Sequence, residues 1–406
     1  MKTKFLIIIQ LLFCGMLFSQ TPVSLETAYE KALQNNPDLK NGQLRIDYQD
    51  RIKDSYRVID LLNISAEIGQ MNSAYVDNRI GANQTLRLPK FYSSHKQVLL
   101  EEHKSAELSL DVQKWQLKRE ISLIYNHLNY LDEKENILKK ADSIYSNYYK
   151  RAKIRLKSGE SNILEKTTAE TYRSQAEIQL QNLRKDREIA LYQFNYLINE
   201  GEIYRNEKGS FFSPNIIADS TVFLGNSLVL KQFEQQKNIE NAKLEAEKAR
   251  LLPSINLGIN SMTMKGTGSD DKYYNGTHRF QSGSVGVGLP VFNTAQKSLI
   301  EGQKINQQIA ENNYQLALRN QKNQYTKNYG EYLKLKSEVD YYRTKGLENA
   351  KTIMFTANLL LKEGEMNYLE YSILVNQSLE IQNKYIDAQK LLNDKMIELN
   401  AINSNP

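Results

Sequence analysis

Two stretches of this 406-residue chain carry the same acidic turn. RLKSGESNILE, Arg155 to Glu165, returns as LLKEGEMNYLE, Leu360 to Glu370. Leu156, Lys157, Gly159, Glu160, Asn162, Leu164 and Glu165 recur at a constant offset as Leu361, Lys362, Gly364, Glu365, Asn367, Leu369 and Glu370. The chemistry on offer is that of clustered carboxylates: Glu160 and Glu165 in the first copy, Glu363, Glu365 and Glu370 in the second. Carboxylates gathered at a narrow mouth attract cations and repel anions. The local alternative is that they are ordinary acids favoured by the dipole at a helix start. No catalytic set competes with them. His95, His103, His127 and His278 are not paired at ligand spacing, and there is no His-Glu-x-x-His, Gly-x-Ser-x-Gly or phosphate loop. No enzyme activity and no cofactor are expected.

The elements that position these turns can be read from the prolines. None occurs between Pro89 and Pro214, or between Pro290 and Pro406. Both tracts are rich in Leu, Glu, Gln, Lys, Ala and Tyr, which helices accept readily. Each is interrupted by the repeated glycine, a residue suited to ending a helix, followed by Asn162 or Asn367 to cap the next. Each tract is therefore predicted to be a helical hairpin, 91–199 with its tip at 157–162 and 291–402 with its tip at 362–367. The first arm would be roughly 100 Å long at ~1.5 Å per residue, which demands coiled-coil-like partners. Seam residues are expected at Ala169, Ala176, Leu183, Ala190 and Leu197. In the last helix they are expected at Tyr371, Leu374, Ser378, Ile381, Tyr385, Ala388, Leu392 and Leu399.

The segments before each hairpin have period two. Ile64, Ala66 and Ile68 alternate with Ser65, Glu67 and Gly69; Ile80, Ala82, Leu86 and Leu88 alternate with polar residues except at Gln84. Ile255, Leu257 and Ile259 and then Val285, Val287 and Leu289 repeat the pattern. Strands are predicted at 62–74, 79–89, 253–266 and 278–290, with aromatic residues near their ends (Tyr75, Phe91, Tyr92, Tyr273, Tyr274, Phe280, Phe292). One apolar and one polar face with aromatic girdles suit a membrane barrel. Four strands cannot close one, and open edges are not tolerated in lipid, so an oligomer is required: two copies give eight strands, three give twelve and a lumen.

The remaining chain fits an exported protein. Lys2 and Lys4 precede an apolar run from Phe5 to Phe18, so residues 1–20 read as a signal peptide. Cys14, the single cysteine, lies inside it after bulky Leu12 and Phe13, a poor setting for lipid attachment. The mature chain then has no thiol for a disulfide or metal site. The net charge of +6 is spread along helical faces beside acids and does not point to nucleic acid. The domain reading is a first repeat over 21–213 (helices 24–60, two strands, hairpin) and a second over 214–406 (helix 226–250, two strands, hairpin), with a linker at about 200–227.

On these residues the chain resembles the TolC family of outer-membrane efflux proteins, over nearly its whole mature length. VSLETAYEKALQNNPDLK (Val23 to Lys40) is similar to that family's opening helix and Asn-Pro break. AEKARLLPSINLGI (Ala246 to Ile259) is similar to its entry into the second repeat, and GVGLPVF (Gly286 to Phe292) to its exit from the last strand. The resemblance implies an α+β membrane protein, internally duplicated and homotrimeric. A 12-stranded outer-membrane β-barrel, four strands per chain, would continue into a long periplasmic α-helical barrel of coiled-coil hairpins. It implies an exit duct in the outer membrane lipid that works with a periplasmic adaptor (membrane fusion) protein and an inner-membrane transporter of the RND type, with no nucleic acid. The expected entrance residues are Glu370, Glu365, Glu165 and Glu160. The expected adaptor contacts are Leu156, Gly159, Ser161, Leu361, Gly364 and Met366. The family often carries a second acid three residues beyond the position of Glu370; here that residue is Ile373. Cations, heavy metals or drugs all fit as cargo. Two other readings stay open on sequence alone: the outer duct of a type I protein secretion system, and a soluble periplasmic coiled-coil scaffold.

Overall fold

The computed structural model describes residues 21–71, 74–207 and 227–402. The expected signal peptide and residues 208–226 of the expected linker lie outside the described residues. In chain order the elements are β1 (Thr21–Val23), α1 (Leu25–Asn35), α2 (Pro37–Ile52), β2 (Asn63–Gly69), β3 (Asp77–Arg87), α3 (Pro89–Lys157), α4 (Ile163–Ile198), β4 (Tyr204–Asn206) and α5 (Leu228–Ala249). There follow β5 (Ser254–Thr263), β6 (Gly266–Thr267), β7 (Tyr273–Tyr274), β8 (Arg279–Gly288), α6 (Thr294–Tyr341), a π turn (Tyr342–Gly346), α7 (Leu347–Glu363) and α8 (Tyr368–Ile402). The chain divides into two compact units. No helix among the described residues is long and apolar enough to cross a membrane.

One unit, Gly42–Leu110 with Val229–Leu318, holds an antiparallel sheet in the order β2-β3-β5-β8. Its register sets Ala82 beside Ile64 and Ile259, Leu86 beside Ile255, and Leu257 beside Val285. The apolar residues thus share one face. That face is open: Ile64 is 72% exposed, Ile259 69% and Val285 78%. The opposite face interleaves glycine and asparagine. Gly81 stands across from Asn260, and a Cβ there would meet Asn260 Oδ1 at 2.6 Å. Gly258 stands between Asn83 and Ser284 with no room for a methyl group. Among the described residues β2 and β8 are the unpaired edges. The helices of this unit are tied by a Gln–Glu ladder: Gln235 donates to Glu101 at 2.7 Å, Gln303 to Glu240 at 2.6 Å and Gln296 to Glu247 at 2.8 Å. Charge-assisted bonds of this kind suit half-buried helix seams.

The other unit, Met1–Asn41, Asp111–Leu228 and Arg319–Pro406, is built on the hairpins α3–α4 and α6/α7–α8. Ala169, Ala176, Leu183 and Ala190 are buried; Leu197 is half-buried, while Phe194 and Ile198 beside it are buried. In α8 the expected stripe is only part of the interface. Tyr371, Ser378, Ala388 and Leu399 are buried, but Leu374, Ile381, Tyr385 and Leu392 are half-buried, and Val375, Leu379, Ile386 and Met396 form a second buried line. The cause is that α8 has neighbours on two sides. Ser378 Oγ donates to Ala350 O of α7 at 2.7 Å, while Val375 joins Ile137, Ala141 and Tyr145 of α3 in one core cluster.

Several boundaries differ from the sequence expectation. The expected helical region 24–60 ends at Ile52, followed by a 3-10 turn at Ser55–Arg57 and extended Val58. Asn36 splits it by accepting from Asp38 N at 2.9 Å, and Pro37, lacking an N–H, opens α2. β2, β5 and β8 are shorter than predicted at both ends, while β3 keeps the predicted length and begins and ends two residues earlier. Two short pairs were not foreseen: β1 runs parallel to β4, and β6 pairs with β7 inside the β5–β8 connection. The second long arm carries the π turn and four more residues between Lys297 and Leu361 than the first carries between Lys96 and Leu156.

Candidate functional site

The two hairpin tips share the same backbone and capping bonds. Gly159 (φ +77°) and Gly364 (φ +78°) take the left-handed conformation that ends a helix. Glu160 N donates to Arg155 O at 2.9 Å and Gly159 N to Leu156 O at 3.3 Å; Glu365 N donates to Leu360 O at 3.0 Å and Gly364 N to Leu361 O at 3.4 Å. These paired bonds close the last carbonyls of α3 and α7 in a Schellman motif. Three residues on, Asn162 Oδ1 accepts from Glu165 N at 3.1 Å and Asn367 Oδ1 from Glu370 N at 2.9 Å. Each asparagine is thus the N-cap of the returning helix, with a glutamate at N3.

The carboxylates separate into two kinds. Glu160, Glu363, Glu365 and Glu370 are exposed. Glu165 is not: its side chain is 12% exposed, accepts a short bond from Ser161 Oγ and lies 3.7 Å from Arg155 Nε. Its charge is committed within the chain. The apolar candidates divide in the same way. Leu156, Leu361 and Met366 are half-buried, Leu361 and Met366 against the core cluster of Tyr371 and Val375. The large apolar surface at the tips comes instead from Ile163 (59% exposed), Leu164 (65%) and Leu369 (38%), which the sequence reading did not select. The signal was present, since two apolar residues directly follow the N-cap asparagine, where the helix period places no core demand.

Aromatic residues bind the first arm to the final helix. Tyr148 of α3 stacks on Tyr368 of α8 at 5.4 Å with an interplanar angle of 4°, and the Arg155 guanidinium sits 5.1 Å from the Tyr368 ring. Tyr145 stacks on Tyr172 of α4 at 5.1 Å. Burial pushes the Tyr145 and Tyr148 phenols up to about 12. Farther from the tips, Tyr125 Oη donates to Val23 O at 3.2 Å, and Asn206 Nδ2 donates to Asn129 Oδ1 and Asp132 Oδ2 at 2.8 Å. Asp132 also pairs with Arg187 at 2.9 Å. These bonds seat β1 and β4 on α3. No group of three or more His, Cys, Asp or Glu placed to hold a metal ion occurs among the described residues.

No protein-family model matches the chain, and no curated protein matches it. Solved structures do. A crystal structure of CusC, studied for folding and transmembrane channel formation, is 17% identical with a TM-score of 0.77, covering 96% of each chain. The outer membrane protein VceC from Vibrio cholerae is 14% identical with a TM-score of 0.75, covering 93% of this chain and 96% of its own. The MtrE outer membrane channel of Neisseria gonorrhoeae in its open state is 18% identical with a TM-score of 0.75, covering 93% of this chain and 88% of its own. The chain has the fold of the TolC-family outer-membrane channels.

Proposed function

We propose that this protein is the outer-membrane exit duct of a tripartite efflux system. Three copies would close a 12-stranded barrel in the outer membrane, and the helical hairpins would extend into the periplasm. The observation that carries the reading is the four-stranded sheet: apolar and open on one face, polar on the other, and unpaired at both edges. A soluble protein gains nothing from such a face, and lipid forbids such edges unless further copies pair with them. A soluble scaffold is therefore disfavoured. Likeness to channels at this level of identity supports the duct without naming its cargo.

The tips are the end that meets a periplasmic adaptor, itself coupled to an inner-membrane transporter of the RND type. Ile163, Leu164 and Leu369 offer the apolar contacts, with Leu156, Gly159, Ser161, Leu361, Gly364 and Met366 shaping the turns beneath them. Glu370, Glu365 and Glu160 supply a negative entrance; Glu165 serves the turn. Ion selectivity in planar bilayers tests this. Wild type should insert and prefer cations, Glu370→Gln should lower that preference, and Glu165→Gln should leave it unchanged. Folded, helical protein that never conducts would sink the duct.

A further inference from the structure

Helix α3 has two opposed faces in its middle third. Tyr125, Asn129 and Asp132 carry β1 and β4. At about 100° per residue, His127, Tyr130, Lys134 and Leu138 fall on the other side. There, between α3, α4 and Asn383 of α8, opens a groove of about 770 Å³. Its floor is apolar, with Leu131, Leu138 and Leu183 buried and Ile189 half out at the rim. Two of its polar atoms, His127 Nδ1 and Asn383 Oδ1, are buried and have no hydrogen-bond partner among the described residues. In a wall with an added outer layer on one face, the opposite face is the one toward the lumen.

The charges of the groove do not cancel. Lys134 is held by Asp387 at 2.8 Å, and the same carboxylate accepts from Tyr130 Oη at 2.9 Å. Lys390 pairs with Asp394 at 2.5 Å. Asp186 on α4 has no cation within ion-pair distance among the described residues and is exposed at the groove. One carboxylate, two unmatched acceptor atoms and a leucine floor form a consistent set. We infer that this groove is a contact site for amphiphilic organic cations. Asp186 would meet the charge, His127 Nδ1 and Asn383 Oδ1 would accept from ligand N–H groups, and Ile189 with the leucines would cover the apolar body. The inference rests on the duct reading only for the direction the groove faces.

His127 gives the site a pH dependence of its own. Burial, then the nearby Lys390 ammonium, holds its imidazole below the usual histidine value, against the pull of Asp394 and Asp186. Near neutral pH the ring is uncharged and can accept. As the pH falls it gains a proton, loses the acceptor and repels a cation. The charges that act on it are Lys390, Asp394 and Asp186. Lys390 is paired with Asp394, and Lys134 of the same groove with Asp387, which leaves Asp186 as the carboxylate without an ion-pair partner among the described residues.

The test uses full-length protein in lipid nanodiscs, with ethidium as the cation and anilinonaphthalene sulfonate as the anion, read by fluorescence anisotropy. Wild type should prefer ethidium. Asp186→Asn should weaken ethidium about fivefold, the worth of one partly screened charge, and leave the sulfonate unchanged or tighter. Ethidium binding should fall as the pH drops below the ordinary histidine value in wild type, and that fall should vanish in His127→Phe, which keeps the ring bulk. Equal binding of both dyes, or ethidium affinity indifferent to Asp186→Asn, overturns the site. Wild-type conductance is measured alongside. A conducting protein without the Asp186 effect keeps the duct and loses the site, whereas Asp186-dependent binding without conductance keeps the site and loses the duct.

Discussion

Gly159 and Gly364 hold a conformation that costs an L-residue about 1 kcal/mol or more. A Cβ at either would meet nothing within 4 Å, so the penalty of substitution is purely conformational. Gly364→Ala should therefore loosen its tip without disturbing the packing behind it. Amide exchange just past residue 364 should quicken about fivefold, while the α7–α8 core keeps its protection. Asn367→Ala should cost a similar ~1 kcal/mol through the lost N-cap, and the matching changes at Gly159 and Asn162 should behave alike because the bonds are the same. Equal exchange in wild type and Gly364→Ala would refute this. The buried tyrosines behind the tips add a pH limit. A phenol raised on folding stays protonated in the folded chain when the unfolded chain would already have lost its proton. The stability from Tyr145 and Tyr148 is thus intact below pH 10 and lost as the pH climbs from 10 toward about 12. Helical circular dichroism followed with phenolate absorbance should show packing lost within that window, and Tyr145→Phe should move the loss upward.

At the scale of elements, the sheet depends on small residues facing large ones. Gly258 is boxed by Asn83 and Ser284, so Gly258→Val should overpack the polar face by about 1–3 kcal/mol. Asn83→Ala in the same chain removes one wall of the box and should restore much of the folded, heat-modifiable fraction on gels. A double variant no better than the single one would mean that backbone geometry, not the facing side chain, requires the glycine. Much of this sheet was legible beforehand, because period two survives in sequence wherever one face must be apolar. The tips were legible because they occur twice. What sequence could not show has physical reasons in each case. β1 and β4 are three residues each, too short for any period, and they pair in parallel across most of the first repeat. The second buried line on α8 comes from its having two partners, while a single heptad stripe describes one. Glu165 and Glu370 are indistinguishable by alignment, yet Arg155 and Ser161 engage the first, whereas at the second tip the matching positions are Leu360 and Met366.

The whole molecule is decided by which side of the sheet meets lipid. Val285 and Ser282 lie on the same strand, three residues apart, and therefore on opposite faces. If the apolar face is the outer wall of a membrane barrel, an arginine there must be carried into hydrocarbon, at ~2–4 kcal/mol near the midplane. On the polar face the same arginine enters water. Val285→Arg should thus sharply reduce the assembled protein recovered from outer membranes, while Ser282→Arg should assemble and alter only conductance. The asymmetry matters more than either result alone, since a sheet buried in a soluble assembly would also reject Val285→Arg. In that assembly, however, the protein would remain in the soluble periplasmic fraction and Ser282→Arg would have no conductance to change. Closure by further copies then follows from the edges, and three is the number proposed here. β2 and β8 must pair with something before the sheet can enter lipid, and a head-to-tail pairing repeated by rotation ends where it began. Native mass measurement in detergent should return three chains per particle and no stable monomer, and a monomer that inserts and conducts would mean that the open edges are satisfied some other way.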